Sequence, residues 1–250
     1  MSSRYGLVGF PLSHSFSKRY FSDKFLKESI EGVYELFPIT SIDGIYGILN
    51  SYNDLKGLNV TIPYKQQIIP LLNSLSPEAN QIGAVNTVKV VYHHNKPELI
   101  GYNTDAPAFE GELLKFMKNL PDKALVLGTG GASAAVVYVL KKLGIQFKFV
   151  SRKPRQPQAI SYEEVTKDVI VGTRLIINCT PLGMAPNFST FPGIPYEYLS
   201  SEHYLFDLVY NPEETEFLKK GKQQKAHVIN GLGMLHSQAE LSWNIWQDDK

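Results

Sequence analysis

Two spacings of apolar residues alternate along the first hundred positions. Tyr5 to Phe10 is a short apolar run closed by Pro11, the pattern of a strand. Phe16, Tyr20, Phe21, Phe25, Leu26 and Ile30 then recur at helical spacing and predict an amphipathic helix. Val33 to Ile39 returns to the strand pattern, Ile42 to Tyr52 to the helical one, and Leu58 to Ile62 is a third strand ended by Pro63. A helix is expected from about Tyr64, and the β-branched stretch Ala84 to Tyr92 reads as another strand. His93-His94-Asn95-Lys96 then looks like a solvated hairpin tip. Strands alternating with helices argue for a mainly parallel sheet joined by crossovers.

A second unit begins near Asp105 with the helical stretch Phe109 to Met117. Lys123 to Gly128 has the pattern of a buried strand and runs straight into Gly128-Thr129-Gly130-Gly131-Ala132-Ser133. The helical stretch Ala134 to Leu143 follows, then a strand, Phe147 to Ser151. Further strands are expected at Leu175 to Cys179, Tyr204 to Val209 and His227 to Ile229. The last helix, Met234 to Trp246, carries Trp243 and Trp246 on its apolar side. Arg152 to Ser161 and Asn187 to Pro195 read as loops. The reading is therefore an α/β chain of two lobes. Residues 1–104, completed by a C-terminal helix over 232–250, form a mainly parallel α/β substrate lobe, and 105–231 form a Rossmann-type dinucleotide-binding lobe.

Composition narrows the chemistry. The 250 residues are 43% hydrophobic and 20% charged, enough for an ordinary core, and the formal net charge is +1. Near neutrality argues against a nucleic-acid partner. No signal-peptide pattern and no apolar stretch of the ~18 residues needed to span a bilayer are seen, so a cytoplasmic protein without a membrane partner is expected. The single cysteine, Cys179, permits no internal disulfide and is expected to pack as a small apolar residue. The histidines show no pairing with carboxylates at metal-ligand spacing, so no metal is expected.

The glycine turn is the strongest local signal. Gly128 permits a tight turn off the strand, Gly130 lets backbone approach a pyrophosphate, and the helix that follows aims free N–H groups at that anion. Taken alone, the same turn also occurs in α/β domains that bind nothing; its strand–turn–helix setting is what favours a dinucleotide. After the next strand, Ser151-Arg152-Lys153 has no acid to take a ribose 2′-hydroxyl, and the nearest carboxylate downstream is Glu163. Arg152, helped by Lys153 or Arg155, is placed to grip a 2′-phosphate, which points to NADP. A merely solvated basic turn is the competing reading.

Taken together, the motifs resemble the shikimate dehydrogenase family over nearly the whole chain. They are Pro11-Leu12-Ser13-His14-Ser15-Phe16-Ser17, Asn59-Val60-Thr61-Ile62-Pro63-Tyr64-Lys65, Gly83-Ala84-Val85-Asn86-Thr87 and Gly101-Tyr102-Asn103-Thr104-Asp105. The glycine turn, Ser151-Arg152 and Asn178-Cys179-Thr180-Pro181-Leu182-Gly183-Met184 continue the order. Asp207-Leu208-Val209-Tyr210-Asn211-Pro212 and Gly231-Leu232-Gly233-Met234-Leu235-His236-Ser237-Gln238-Ala239 complete it. The resemblance implies reversible NADPH-dependent reduction of 3-dehydroshikimate to shikimate, a step of aromatic amino acid (chorismate) biosynthesis. It implies Lys65 and Asp105 as the acid–base pair. Ser15, Ser17, Thr61, Asn86, Tyr210 and Gln238 would bind substrate. Gly128, Thr129, Gly130, Gly131, Ala132, Ser151, Arg152, Lys153, Thr180, Leu208 and Gly231 would bind the cofactor. Assembly as a monomer or a homodimer is left open, as is a sibling activity on quinate or an amino analogue of shikimate. The other competitor is a catalytically weak, cofactor-binding regulatory protein on the same fold, against which the intact Lys65 and Asp105 argue.

These roles make physical sense of residues that look bland alone. Two hydroxyls at a helix start, Ser15 and Ser17, make a carboxylate site. A lysine at the start of the helix expected from Tyr64 would face the positive end of its dipole, favouring the neutral amine, while Asp105 would favour the ammonium. Asp105 by itself reads as a helix N-cap. Asn86 and Asp207 interrupt apolar strands and must find partners, which a polyhydroxylated ring would offer. Two departures from the family pattern stand out: Lys18-Arg19 follows the serine pair, and Ser151 replaces an asparagine before the cofactor arginine.

Overall fold

The computed structural model describes residues 3–12, 15–94 and 96–248; Ser13, His14 and Asn95 of the stretches quoted above lie outside the described residues. The chain divides into two compact units, Met1–Thr104 with Ala239–Lys250, and Asp105–Gln238. Helices are sparse in the first unit: α1 (Phe16–Lys27), α2 (Ile45–Ser51) and α3 (Pro77–Ile82). Its strands are β1 (Ser3–Gly9), β2 (Gly32–Pro38), β3 (Leu55–Val60), β4 (Ser74–Leu75), β5 (Thr87–His93) and β6 (Lys96–Tyr102), in the order β2-β1-β3-β5-β6-β4. The pairings of β1 with β2 and β3 are parallel, as is that of β4 with β6, but β5 runs antiparallel to both its neighbours. A tip as short as that around His93–Lys96 can only join antiparallel strands. The hairpin thus reverses direction, and the start of β5 comes to lie beside the ends of β3 and β6.

The expected helix from Tyr64 is not formed. Residues 62–63 and 65–68 are turns, followed by a single 3₁₀ turn at Ile69–Leu71. Pro70 has no N–H, so the ladder begun by Ile68 N–H to Tyr64 O cannot continue. Lys65 therefore sits in a turn without a helix dipole behind it, and its carbonyl accepts the Val85 N–H at 2.7 Å.

An aromatic cluster closes this unit on one side. Helix α8 (Leu232–Gln247) sends Trp243 and Trp246 against Tyr5, Phe21, Phe25 and Tyr34. The Trp246 ring stacks on Tyr5 with centroids 5.0 Å apart, and its indole N–H donates to Val88 O at 3.0 Å. Gly57 lies beneath the same indole, where any Cβ would overlap the ring.

The second unit holds α4 (Asp105–Phe116), β7 (Lys123–Leu127), α5 (Gly131–Lys142), β8 (Gln146–Val150), β9 (Ala159–Ile160), α6 (Lys167–Val171), β10 (Leu175–Asn178), β11 (Tyr204–Asp207), α7 (Glu216–Gln223) and β12 (His227–Ile229). All its pairings are parallel, in the order β12-β11-β10-β7-β8-β9. Counted from β7 this is the doubly wound order, which reverses between β7 and β10. The stretch expected as a loop after Val150 contains β9, and α6 and α7 are additional to the predicted helices.

Trp246→Ala should lower the unfolding free energy by about 3–5 kcal/mol, the range for emptying a buried aromatic site. Denaturant titration followed by tryptophan emission and circular dichroism measures it; a loss below about 1 kcal/mol would mean that α8 does not close the first unit.

Candidate functional site

In the first unit, sheet topology gathers the predicted substrate residues at one sheet edge. The chain leaves β1 for β2 on one side and returns for β3 on the other, so the segments after β1 and after β3 flank the switch. The first carries Ser15 and Ser17, the second Thr61 and Lys65. Asn86 precedes β5, and Thr104 follows β6, both at this edge because of the hairpin reversal. Gly9 ends β1 against the Thr61 methyl, where a side chain would not fit.

Ser15 is the N-cap residue of α1, yet its side chain makes no capping bond. Among the described residues its Oγ is the buried side-chain polar atom without a hydrogen-bond partner. Leaving such a group unpaired costs ~1–3 kcal/mol, so the position calls for a further acceptor or donor. Lys18 and Arg19 are exposed, and Arg19 faces Asp23 one turn on.

Behind these residues runs a buried polar network that sequence reasoning missed. Ser17 reaches the Tyr34 phenol, which donates to Asn59 Oδ1 at 2.8 Å. Asn59 Nδ2 donates to Ser242 Oγ at 3.0 Å, and Ser242 lies 2.7 Å from Thr87 Oγ1 and 3.2 Å from Thr104 Oγ1. Asn86 Nδ2 donates to Thr104 Oγ1 at 2.9 Å, and its Oδ1 accepts the Thr104 N–H at 2.7 Å. The Asn86 amide is thereby fixed in one orientation by its own unit. The hint in the sequence was Ser242, a polar residue on the face of α8 that also bears Ala239, Trp243 and Trp246. Burial drives the Tyr34 hydroxyl well above the ordinary tyrosine range, which keeps it a neutral donor.

In the second unit the glycine turn and Thr180 lie at the reversal between β7 and β10, whereas Ser151, Arg152 and Lys153 follow β8, Leu208 follows β11 and Gly231 follows β12. Gly128 has φ +99°, a left-handed conformation open to glycine, and its position abuts the Thr180 methyl, which follows β10. Gly130 faces open space, with nothing within 4 Å of where a side chain would begin, and α5 starts at Gly131, three residues before the expected Ala134. The first-turn N–H groups of α5 therefore follow the glycines directly, with Thr129, Gly131 and Ala132 exposed or half-buried. This is a cradle with room for a phosphate.

Beyond β8, Arg152, Lys153 and Arg155 are exposed and form no ion pair among the described residues. Arg152 lies close enough to the half-buried Tyr162 for its charge to act against the upward shift that burial imposes on that phenol. Ser151 holds the turn, its N–H on Ile160 O and its Oγ accepting the Lys153 N–H. Gly231 is pressed against the Leu208 carbonyl so closely that no side chain would fit. Thr180 donates to Asn178 Oδ1 at 2.6 Å.

Three further predicted residues belong to this second unit. Asp105 is buried and is the first residue of α4, not the cap before it, because the helix begins four residues earlier than the periodicity from Phe109 implied. Tyr210 is half-buried, and burial raises its hydroxyl above the usual range. Gln238 donates back to Leu235 O within α8. Asp207, expected to seek a ligand, instead takes its hydrogen bonds among the described residues from its own unit: Asn178, Val209 and Thr215. Burial holds the Cys179 thiol protonated, as an apolar role requires. Among the described residues no group of three or more His, Cys, Asp or Glu is arranged to hold a metal, and no helix is long and apolar enough to cross a membrane.

Comparison with known proteins follows the same lines. Residues 7–88 match the family model described as the shikimate dehydrogenase substrate binding domain. The shikimate dehydrogenase (NADP(+)) of Clostridium beijerinckii is 38% identical, covering 98% of this chain and 92% of its own. A crystal structure of shikimate dehydrogenase 1 from Peptoclostridium difficile superposes with a TM-score of 0.85 at 37% identity, over 99% of this chain and 92% of its own. The shikimate 5-dehydrogenase of Thermus thermophilus, solved in complex with NADP(H) and shikimate, gives 0.83 at 32% identity, over 98% and 93%. With relatives this similar over nearly its full length, and with both units carrying the residues its motifs predicted, the chain belongs to the shikimate dehydrogenase family.

Proposed function

We propose that this protein catalyses the reversible reduction of 3-dehydroshikimate to shikimate with NADPH. The observation that carries the reading is near-full-length similarity to NADP-dependent shikimate dehydrogenases, 38% identical in one case. The local geometry supports it at two points: a buried Ser15 hydroxyl without a partner among the described residues, and an open glycine cradle followed, after β8, by basic residues that form no ion pair among them.

The residues divide the work as follows. Ser15 and Ser17, with the N–H groups that open α1, hold the substrate carboxylate. Thr61, Asn86, Tyr210 and Gln238 receive ring hydroxyls or the carboxylate, Asn86 with its amide already oriented by Thr104. Lys65 and Asp105 serve as the acid–base groups: one proton passes to the ketone oxygen as it becomes the alcohol, and returns in the reverse direction. The first turn of α5, after Gly128, Thr129, Gly130, Gly131 and Ala132, holds the pyrophosphate. Arg152 and Lys153 after Ser151 hold the 2′-phosphate, while Thr180, Leu208 and the Gly231 backbone border the nicotinamide end. NADPH supplies the hydride when bound. The reading places the protein in the cytoplasm, with these two small molecules as its partners.

The direct test is a spectrophotometric assay of shikimate oxidation with NADP and with NAD, quinate being run beside it. Turnover of shikimate with NADP is expected; its absence, or faster turnover of quinate, overturns the assignment. Lys65→Ala should lower kcat by ~10²-fold or more while NADP affinity stays within about twofold. Replacing Ser15 and Ser17 together by Ala should raise the shikimate KM, since each bond to a charged group contributes ~1.5–3 kcal/mol. An unchanged KM would put the carboxylate elsewhere. Arg152→Asp, best combined with Lys153→Ala, should abolish a 2′-phosphate preference of roughly 10- to 100-fold. Retention of that preference by the double variant would show that the phosphate binds away from this turn.

A further inference from the structure

Asp207 is a buried carboxylate to which the chemistry above gives no task. It ends β11, is fully buried, and has no cation paired with it among the described residues. Its three donors are all neutral. Asn178 Nδ2 and the Val209 N–H reach Oδ1 at 2.9 and 3.0 Å, and Thr215 Oγ1 reaches Oδ2 at 2.6 Å. Neutral donors compensate only partly for lost water, so an uncharged residue would suit the interior better if packing were its sole purpose.

Each donor leads on to the cofactor side of the unit. With its N–H₂ turned to Asp207, Asn178 must turn Oδ1 to Thr180, accepting the Thr180 N–H at 3.0 Å and its hydroxyl at 2.6 Å. The Val209 N–H fixes the peptide that carries the Leu208 carbonyl, against which Gly231 is pressed. Thr215 caps α7 through the Leu218 N–H, and its Cβ and Cγ2 crowd Gly183 of the loop after Thr180. Gly183 itself is left-handed at φ +88°. One side chain thus holds the Thr180–Met184 loop and the Leu208 peptide in register. A neutral amide in its place would offer one acceptor oxygen for two sets of donors, and its own N–H₂ would face a donor.

We propose that Asp207, in its ionised form, is a positioning residue for the dinucleotide, acting through Asn178, Thr215 and the Val209 peptide. The inference rests on the reading of Thr180 and Leu208 as cofactor contacts. Burial raises the Asp207 carboxyl to about 6, so the working form is populated above that pH and lost below it. The titratable groups facing it are the Cys179 thiol and the Tyr196 phenol, both held protonated by burial and by the carboxylate charge.

The test measures equilibrium binding of NADP⁺ to the full-length protein between pH 5 and 8, with shikimate KM determined in parallel. Asp207→Asn should raise the NADP⁺ Kd about tenfold at pH 7.5, equivalent to ~1.4 kcal/mol, and leave the shikimate KM within about twofold. The gap between the two proteins should close below pH 6, where the native carboxyl is also protonated. The 2′-phosphate titrates in the same range but does so equally in both, so the difference between the profiles reads Asp207. Thr215→Val, which removes the donor to Oδ2 together with the hydroxyl that caps α7 and keeps the Cγ2 beside Gly183, should weaken NADP⁺ in the same direction and serves if the first variant does not fold. Ile170→Ala, which empties a core position of the same unit away from the network, should lower Tm and leave the Kd unchanged. The proposal fails if Asp207→Asn and Thr215→Val bind NADP⁺ as the native protein does. It fails equally if Ile170→Ala weakens binding as much as they do, or if the gap persists unchanged at pH 5. Shikimate turnover by the unmodified protein is a separate measurement, so failure of the assigned reaction is distinguishable from failure of this role.

Discussion

A polar group on a buried strand must be given a partner, and much of this structure is organised around meeting that demand. In the first unit, Asn59, Asn86, Thr87, Thr104 and Ser242 are all at or below 5% exposed in a sheet otherwise packed by aliphatic and aromatic side chains. They satisfy one another, and the last of them comes from the far end of the chain. Withdrawing Ser242 would leave hydroxyls and an amide facing an apolar helix, at a cost of ~1–3 kcal/mol for each group left unpaired. The aromatic packing of Trp243 and Trp246 on Tyr5, Phe21 and Phe25 supplies the apolar burial that keeps that helix, and so the network, in place.

The same rule explains which polar atoms are left over. Among the described residues Ser15 Oγ is buried without a partner, although Ser17, two residues on, is tied to Tyr34. Inside a unit so thoroughly satisfied, one open position marks where a ligand is expected to complete the bonding. In the second unit Gly130 is open to space, and the exposed Arg152, Lys153 and Arg155 form no ion pair among the described residues. Asn178, Asp207 and Thr215, by contrast, are consumed by one another and hold the segments that follow β10 and β11.

Much of the architecture was legible in the chain because it follows from local pattern. The strand–glycine turn–helix–strand of Lys123 to Ser151 identifies the start of a dinucleotide unit, since a positive φ at Gly128 and free N–H groups at a helix start are properties of a few consecutive residues. The periodicity of Phe16 to Ile30 likewise found α1 to within a few residues. Failures occurred where a local signal was ambiguous. Tyr64 to Leu72 is apolar enough for a helix, but Pro63 and Pro70 bracket it so closely that only turns form, which removes the dipole expected to act on Lys65. The short helices α3, α6 and α7 have too few turns to declare a period.

What the sequence determined alone was the kind of fold, the glycine cradle, the basic turn after β8 and, by its motifs, the family. These are carried by residue type and near-neighbour spacing, which chain connectivity enforces. Tertiary structure decided which polar side chains are already spent and which remain open. Asn86 and Asp207 looked alike in sequence, each a polar interruption of an apolar strand, as did Ser15 and Ser17 at one helix start. The difference lies in neighbours far along the chain or across a sheet: Thr104 for Asn86, Thr215 and Asn178 for Asp207, Tyr34 for Ser17. Hydrogen bonds are short-ranged and directional, so whether a side chain is satisfied is a property of the folded chain and not of its order.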